Sequence, residues 1–97
     1  MKATTVEAQG EGRFLVRGPL RFHSVPGLWR DTRGLFSGTP RVTLDFSAVT
    51  EADSAGLALL VEWLREARRA GGEIHFQGMP RQMQAIARVS GLEGLLP

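Results

Sequence analysis

Short alternating runs and longer helical stripes divide the chain. Thr4 to Gln9 and Arg13 to Arg17 flank Gly10, Glu11 and Gly12, a glycine-bearing connection of the kind that closes an antiparallel hairpin. The first of these strands is poor in apolar residues and reads as an edge. Val25, Leu28, Trp29, Thr32, Leu35 and Phe36 then recur at helical spacing behind Ser24, a capping residue type, with Pro26 in the first turn where a missing N–H costs nothing. Arg41 to Phe46 alternates as a strand and is expected to end between Asp45 and Val49. Ala55 to Ala70 is the strongest helix, apolar at Leu57, Leu60, Val61, Leu64 and Ala67, and Gly71 and Gly72 stop it. A strand over Glu73 to Gln77 and a helix after Pro80, carrying Met83, Ile86 and Ala87 inward until Gly91, complete the pattern.

Strands alternating with helices at these lengths imply right-handed crossovers and an α/β fold. The expected sheet is mixed and mostly parallel, four- to five-stranded, with packed helices and one antiparallel edge. In such sheets the functional surface lies where strand ends feed helix N-termini, which points to Asp45 to Gly56.

Composition narrows the class. The 97 residues are 42% hydrophobic and 23% charged, enough for one core, so residues 1–97 are expected to form a single domain. The absence of cysteine excludes disulfide scaffolds and Cys-ligated zinc. No apolar stretch reaches membrane-spanning length, and the first twenty residues lack the pattern of a signal peptide, so a cytoplasmic domain is expected. The sequence pI of 10.4 invites a nucleic-acid reading. The formal charge is only +2, however, and the arginines are scattered among acids, whereas tracking a phosphate backbone needs clustered cations. Nucleic acid is not an expected partner.

Asp53 and Ser54 both stand where the first free N–H groups of the long helix need acceptors. One of them serves as the N-cap, and the other is displayed at the positive end of the helix. Gly56, inside the first turn, weakens the helix and implies close approach of another backbone. Catalytic readings fail on inventory. A phospho-accepting Asp45 would need an acidic pair and a lysine near the last strand, and Lys2 is the only lysine. Nothing ties His23 or His75 to Ser54 as a base. Asp45 and Asp53 lack further metal-ligand neighbours, and no phosphate loop exists, so neither a cofactor nor a metal is expected.

Asp45-Phe46-Ser47, Val49 and Asp53-Ser54-Ala55-Gly56-Leu57, entering a long apolar helix, resemble the signature of STAS domains. Leu28-Trp29, the run from Gly56 to Leu60, Gln77-Gly78 and Leu96-Pro97 resemble more narrowly the MlaB branch of that family. The resemblance implies a non-catalytic module peripheral to the inner membrane. Its partner would be the ATPase subunit of an Mla-type phospholipid-trafficking ABC transporter, within a larger complex that includes the permease. It also implies an alternative, an anti-sigma factor antagonist phosphorylated on Ser54. Ala55 departs from that pattern, where a second serine is common.

The residues assigned to partner binding are Thr50, Asp53, Ser54, Ala55, Gly56, Leu59, Glu62 and Trp63. Two arrangements of the helix remain open. Leu59 and Trp63, at i and i+4, either form an exposed pair continuous with Ser54 or are buried with the other apolar positions. Glu66 and Arg69 read as solvated rim and Trp29 as core. Leu92, Leu95 and Leu96 either close the core or extend into a partner.

Overall fold

The computed structural model describes residues 4–36, 38–92 and 94. The elements run β1 (Thr5–Ala8), β2 (Arg13–Leu20), α1 (Val25–Thr32), β3 (Arg41–Ala52), α2 (Ser54–Arg69), β4 (Glu73–Gln77) and α3 (Arg81–Val89). They form one four-stranded sheet in the order β1-β2-β3-β4, with β1–β2 antiparallel and the other two pairs parallel. The weakly apolar β1 lies at an edge. The hairpin turns through Gly10, Glu11 and Gly12, which all take positive φ, and the two glycines bear this without side-chain strain.

Alternation decides the two faces of the sheet. Phe14, Val16 and Leu20 of β2, Val42, Leu44 and Phe46 of β3, and Ile74 and Phe76 of β4 are buried. The intervening Arg13, Arg17, Arg41, Glu73, His75 and Gln77 are exposed. Both crossovers, β2-α1-β3 and β3-α2-β4, advance toward the same sheet edge. A right-handed connection then places α1 and α2 on the same face, leaving the other open. Met83 and Ala87 of α3 are buried against this helical layer, as their spacing predicts, and Ile86 is half-buried. Leu92 is half-buried, its N–H bonded to the Ala87 carbonyl at 2.8 Å, while Leu95 and Leu96 lie outside the described residues.

Two boundaries and one cap differ from the sequence expectation. β3 does not end at Asp45 to Val49. It loses β4 after the pair Asp45–Gln77 yet continues beside β2 through Arg17–Ala48, Gly18–Val49 and Leu20–Ala52. The register shifts between Leu15 and Arg17, where the Asp45 carboxylate accepts the Ser47 N–H at 2.9 Å and holds the irregular backbone. A second shift, between Gly18 and Leu20, spans Pro19, a residue with no N–H to give a ladder. Helix α1 stops at Thr32 rather than continuing to Phe36, because Arg33 turns extended and Gly34 takes a φ of 77°. Phe36 then folds back into the core while Leu35 stays exposed. Finally, Ser24 occupies the cap position of α1 without capping it. Its hydroxyl accepts the Arg21 N–H at 3.0 Å and donates to the Pro19 carbonyl at 2.7 Å, closing the β2–α1 turn.

Candidate functional site at the start of α2

The end of β3 and the first turn of α2 lie beside the end of β2. Asp53 is the N-cap. Its Oδ1 accepts the Ala55 N–H at 2.9 Å and its Oδ2 accepts the Phe22 N–H at 3.0 Å, so one carboxylate joins the helix start to the β2–α1 turn. The Asp53 N–H donates to the Leu20 carbonyl at 3.1 Å, which fixes the same junction from the backbone. Burial pushes the Asp53 carboxyl up. The N–H groups of Phe22, Ala55 and Gly56 and the nearby Arg21 charge outweigh it and hold the carboxyl below the usual aspartate range.

With Asp53 acting as the cap, Ser54 is the displayed residue. It is the first residue of α2 and is exposed. Thr50 and Glu51 are exposed as well, but they belong to the end of β3 and not to a loop. Glu51 pairs with Arg21 at 2.6 Å, so the two charges beside the site neutralise each other.

Gly56 confirms the close-approach reading. A Cβ there would stand 2.8 Å from the Leu20 carbonyl oxygen and 2.9 Å from the Leu20 Cβ, distances that side chains do not adopt. Only glycine lets the first turn of α2 lie directly on the end of β2. Ala55 is half-buried, and Ala58 is exposed.

The exposed arrangement of Leu59 and Trp63 is excluded. Both are buried, Trp63 completely. The Trp63 indole packs edge-on to Phe36 at 5.9 Å and beside Phe46 at 6.5 Å, and its Nε1 donates to the buried Thr32 hydroxyl at 2.9 Å. The physical reason is coverage. The α1 helix and the returning Phe36 close over a second flank of α2, and the one polar atom of the indole finds an acceptor there. Glu62 therefore does not extend a Trp63 patch; it is half-buried and pairs with Arg65 at 3.3 Å. Glu66, read as solvated rim, is half-buried, with its Oε1 accepting the Gly34 N–H at 3.2 Å. Trp29 packs against the core from its edge, in keeping with its place in the stripe.

Phe22 is the residue that the sequence reading missed. It is 73% exposed, beside Asp53, with its ring edge-on to His23 at 5.9 Å. An aromatic between Arg21 and His23, off any apolar stripe, is the only sequence signal for it.

The site presents an exposed hydroxyl beside a capped helix start. Among the described residues, no group of three or more His, Cys, Asp or Glu side chains is arranged to hold a metal. No helix among them is long and apolar enough to cross a membrane. A cleft of about 220 Å³ is lined by Phe36, Thr39, Pro40, Ala67, Ala70 and Gly72 together with Gly38 and Gly71, without an ionisable side chain. It lies at the opposite end of α2 from Ser54.

The family model described as Mlab, STAS domain, matches residues 4–97. Among solved structures, an anti-sigma factor antagonist from Mycobacterium paratuberculosis superposes with a TM-score of 0.74 at 21% identity, over 98% of this chain and 82% of that one. The Bacillus cell fate determinant SpoIIAA in its phosphorylated form superposes with a TM-score of 0.70 at 21% identity, over 98% and 89% of the two chains. The anti-sigma factor antagonist SpoIIAA in its unphosphorylated form gives 0.67 at 20% identity, over 89% and 82%. At these identities the superpositions show the fold. A comparison with curated proteins gives no match.

Proposed function

The chain belongs to the STAS domain family in its MlaB form, and from that premise we propose that it is a docking subunit for the ATPase of an Mla-type phospholipid-transport ABC complex. The supporting observation is the division of labour at the start of α2. Asp53 satisfies the helix N-terminus, which leaves the exposed Ser54 hydroxyl and the adjoining turn for a partner. A subunit of this kind acts by binding the competent conformation of its ATPase in preference to others, which raises the population of that conformation without chemistry of its own. In this reading the protein sits peripheral to the inner membrane, held there through the complex.

Co-purification of the full chain with the ATPase subunit tests the assignment. Ser54→Arg puts bulk and charge into the interface and is expected to abolish co-purification and lower the ATPase rate of the complex, while Ser54→Ala retains both. Full binding and activity in Ser54→Arg would remove the site from the interface.

A second reading is supported by the likeness to SpoIIAA in both phosphorylated and unphosphorylated forms. An anti-sigma factor antagonist would carry a switch on the same hydroxyl, and a phosphate there would sit at the positive end of α2. Incubation with the cognate kinase and ATP followed by intact mass separates the two. One phosphate on Ser54 favours the antagonist, and none favours the transporter subunit.

A further inference from the structure

We propose that Phe22 is the apolar anchor of the docking surface and fills an uncharged, apolar pocket on the ATPase subunit. This rests on the reading of the Ser54 end as the face that meets the ATPase.

Exposure alone does not single the residue out, since isolated apolar side chains are common on protein surfaces. Leu35 and Val89 are exposed too, at 40% and 89%. Phe22 differs from them in position. Its N–H is bonded to the carboxylate that also caps α2, so the aromatic ring and the Ser54 hydroxyl are presented from one hydrogen-bonded junction. The turn that carries it is tied down on either side. Arg21 N–H bonds the Ser24 hydroxyl, that hydroxyl bonds the Pro19 carbonyl, and the Arg21 guanidinium pairs with Glu51. A backbone fixed in advance lowers the ordering cost of binding, and aromatic residues are the usual centres of binding energy.

The charges around it select the kind of partner. The Asp53 carboxylate is taken up by backbone N–H groups, and Arg21 and Glu51 neutralise each other. A surface whose charges are paired internally complements an uncharged pocket better than a charged one.

The test uses the full chain and the ATPase subunit of the Mla-type complex from the same organism, with the dissociation constant read by calorimetry. Phe22→Ala is expected to weaken binding about 30-fold or more. Its melting temperature should stay within about 4 °C of wild type, since the side chain is mostly exposed. Phe22→Tyr is expected to bind as wild type, and so is Val89→Ala, an exposed apolar truncation away from the junction. Unchanged affinity in Phe22→Ala, with Ser54→Arg still inactive, overturns the anchor and leaves the docking site standing. Equal losses in Phe22→Ala and Val89→Ala overturn the positional argument. Failure of the wild-type chain to bind removes the ATPase reading and the anchor with it.

Discussion

Gly56→Ala offers a measurement in which two physical effects of known sign compete. In an ordinary helix interior the substitution stabilises by up to about 1 kcal/mol, because alanine restricts the unfolded chain and glycine does not. At Gly56 the added Cβ would stand 2.8 Å from the Leu20 carbonyl oxygen and 2.9 Å from the Leu20 Cβ. Relief requires a shift of about half an ångström, and neither neighbour is free to make it. Leu20 is fully buried and paired with Ala52 across the β2–β3 ladder, and its carbonyl also accepts the Asp53 N–H at 3.1 Å. Overpacking of a tight contact costs about 1–3 kcal/mol, and strain on that hydrogen bond adds about 1 kcal/mol. After subtracting the propensity gain, Gly56→Ala is expected to destabilise by about 1–3 kcal/mol. For a chain of this size that corresponds to a fall in Tm of roughly 5–15 °C. The control is Gly27→Ala in α1, where an added Cβ meets nothing within 4 Å and the expected change is a stabilisation of about 0.5–1 kcal/mol. Urea denaturation of both variants beside wild type decides the matter. A Gly56→Ala protein as stable as Gly27→Ala would refute the claim that the junction of β2 and α2 is closed by backbone contact.

Thr32→Val keeps the side-chain shape but strands the buried Trp63 Nε1–H, with an expected loss of about 1–3 kcal/mol; Thr32→Ser keeps the hydroxyl and should lie nearer wild type, so equal stability of the two would contradict the role of that bond. Asp53→Asn tests the cap and its protonation together. The folded-state carboxyl titrates below its ordinary value of 3.8, so its stabilising contribution is fully present above that value and is lost as pH falls through the folded-state pKa. The stability gap between wild type and Asp53→Asn, measured by urea denaturation, should therefore be largest near neutrality and shrink as the pH drops below about 4. A gap that stays constant down to about pH 2 would show that the carboxylate charge contributes nothing.

Much of the fold is legible from local pattern. The alternations at Phe14 and Val16, at Val42, Leu44 and Phe46, and at Ile74 and Phe76 all become the buried face of the sheet. The helical stripes at Leu57, Leu60 and Leu64 and at Met83 and Ala87 face inward for the same reason, since periodicity is a property of the backbone itself. Part of the candidate site is legible in the same way. Two capping residue types in succession leave one of them displayed, and a glycine in a first helical turn marks a close contact. What local pattern does not carry is what lies across from a residue. The length of β3 past Asp45 depends on β2 continuing beside it, and the duty of Ser24 depends on where the Pro19 and Arg21 backbones come to rest.

Leu59 and Trp63 mark the boundary most clearly. Their spacing made them one face of α2, but whether that face met solvent was a question about α1 and Phe36, which are distant in sequence and adjacent in space. The α/β order, the capped junction at Asp53 and Ser54, and the glycine beneath it can be read along the chain, because each depends on a few neighbouring residues and their backbone chemistry. Which apolar side chains remained outside was settled by packing between distant elements. It enclosed the indole that spacing alone left open and left Phe22 on the surface, because burial is settled by long-range packing and a turn held by its own hydrogen bonds cannot carry its ring inward.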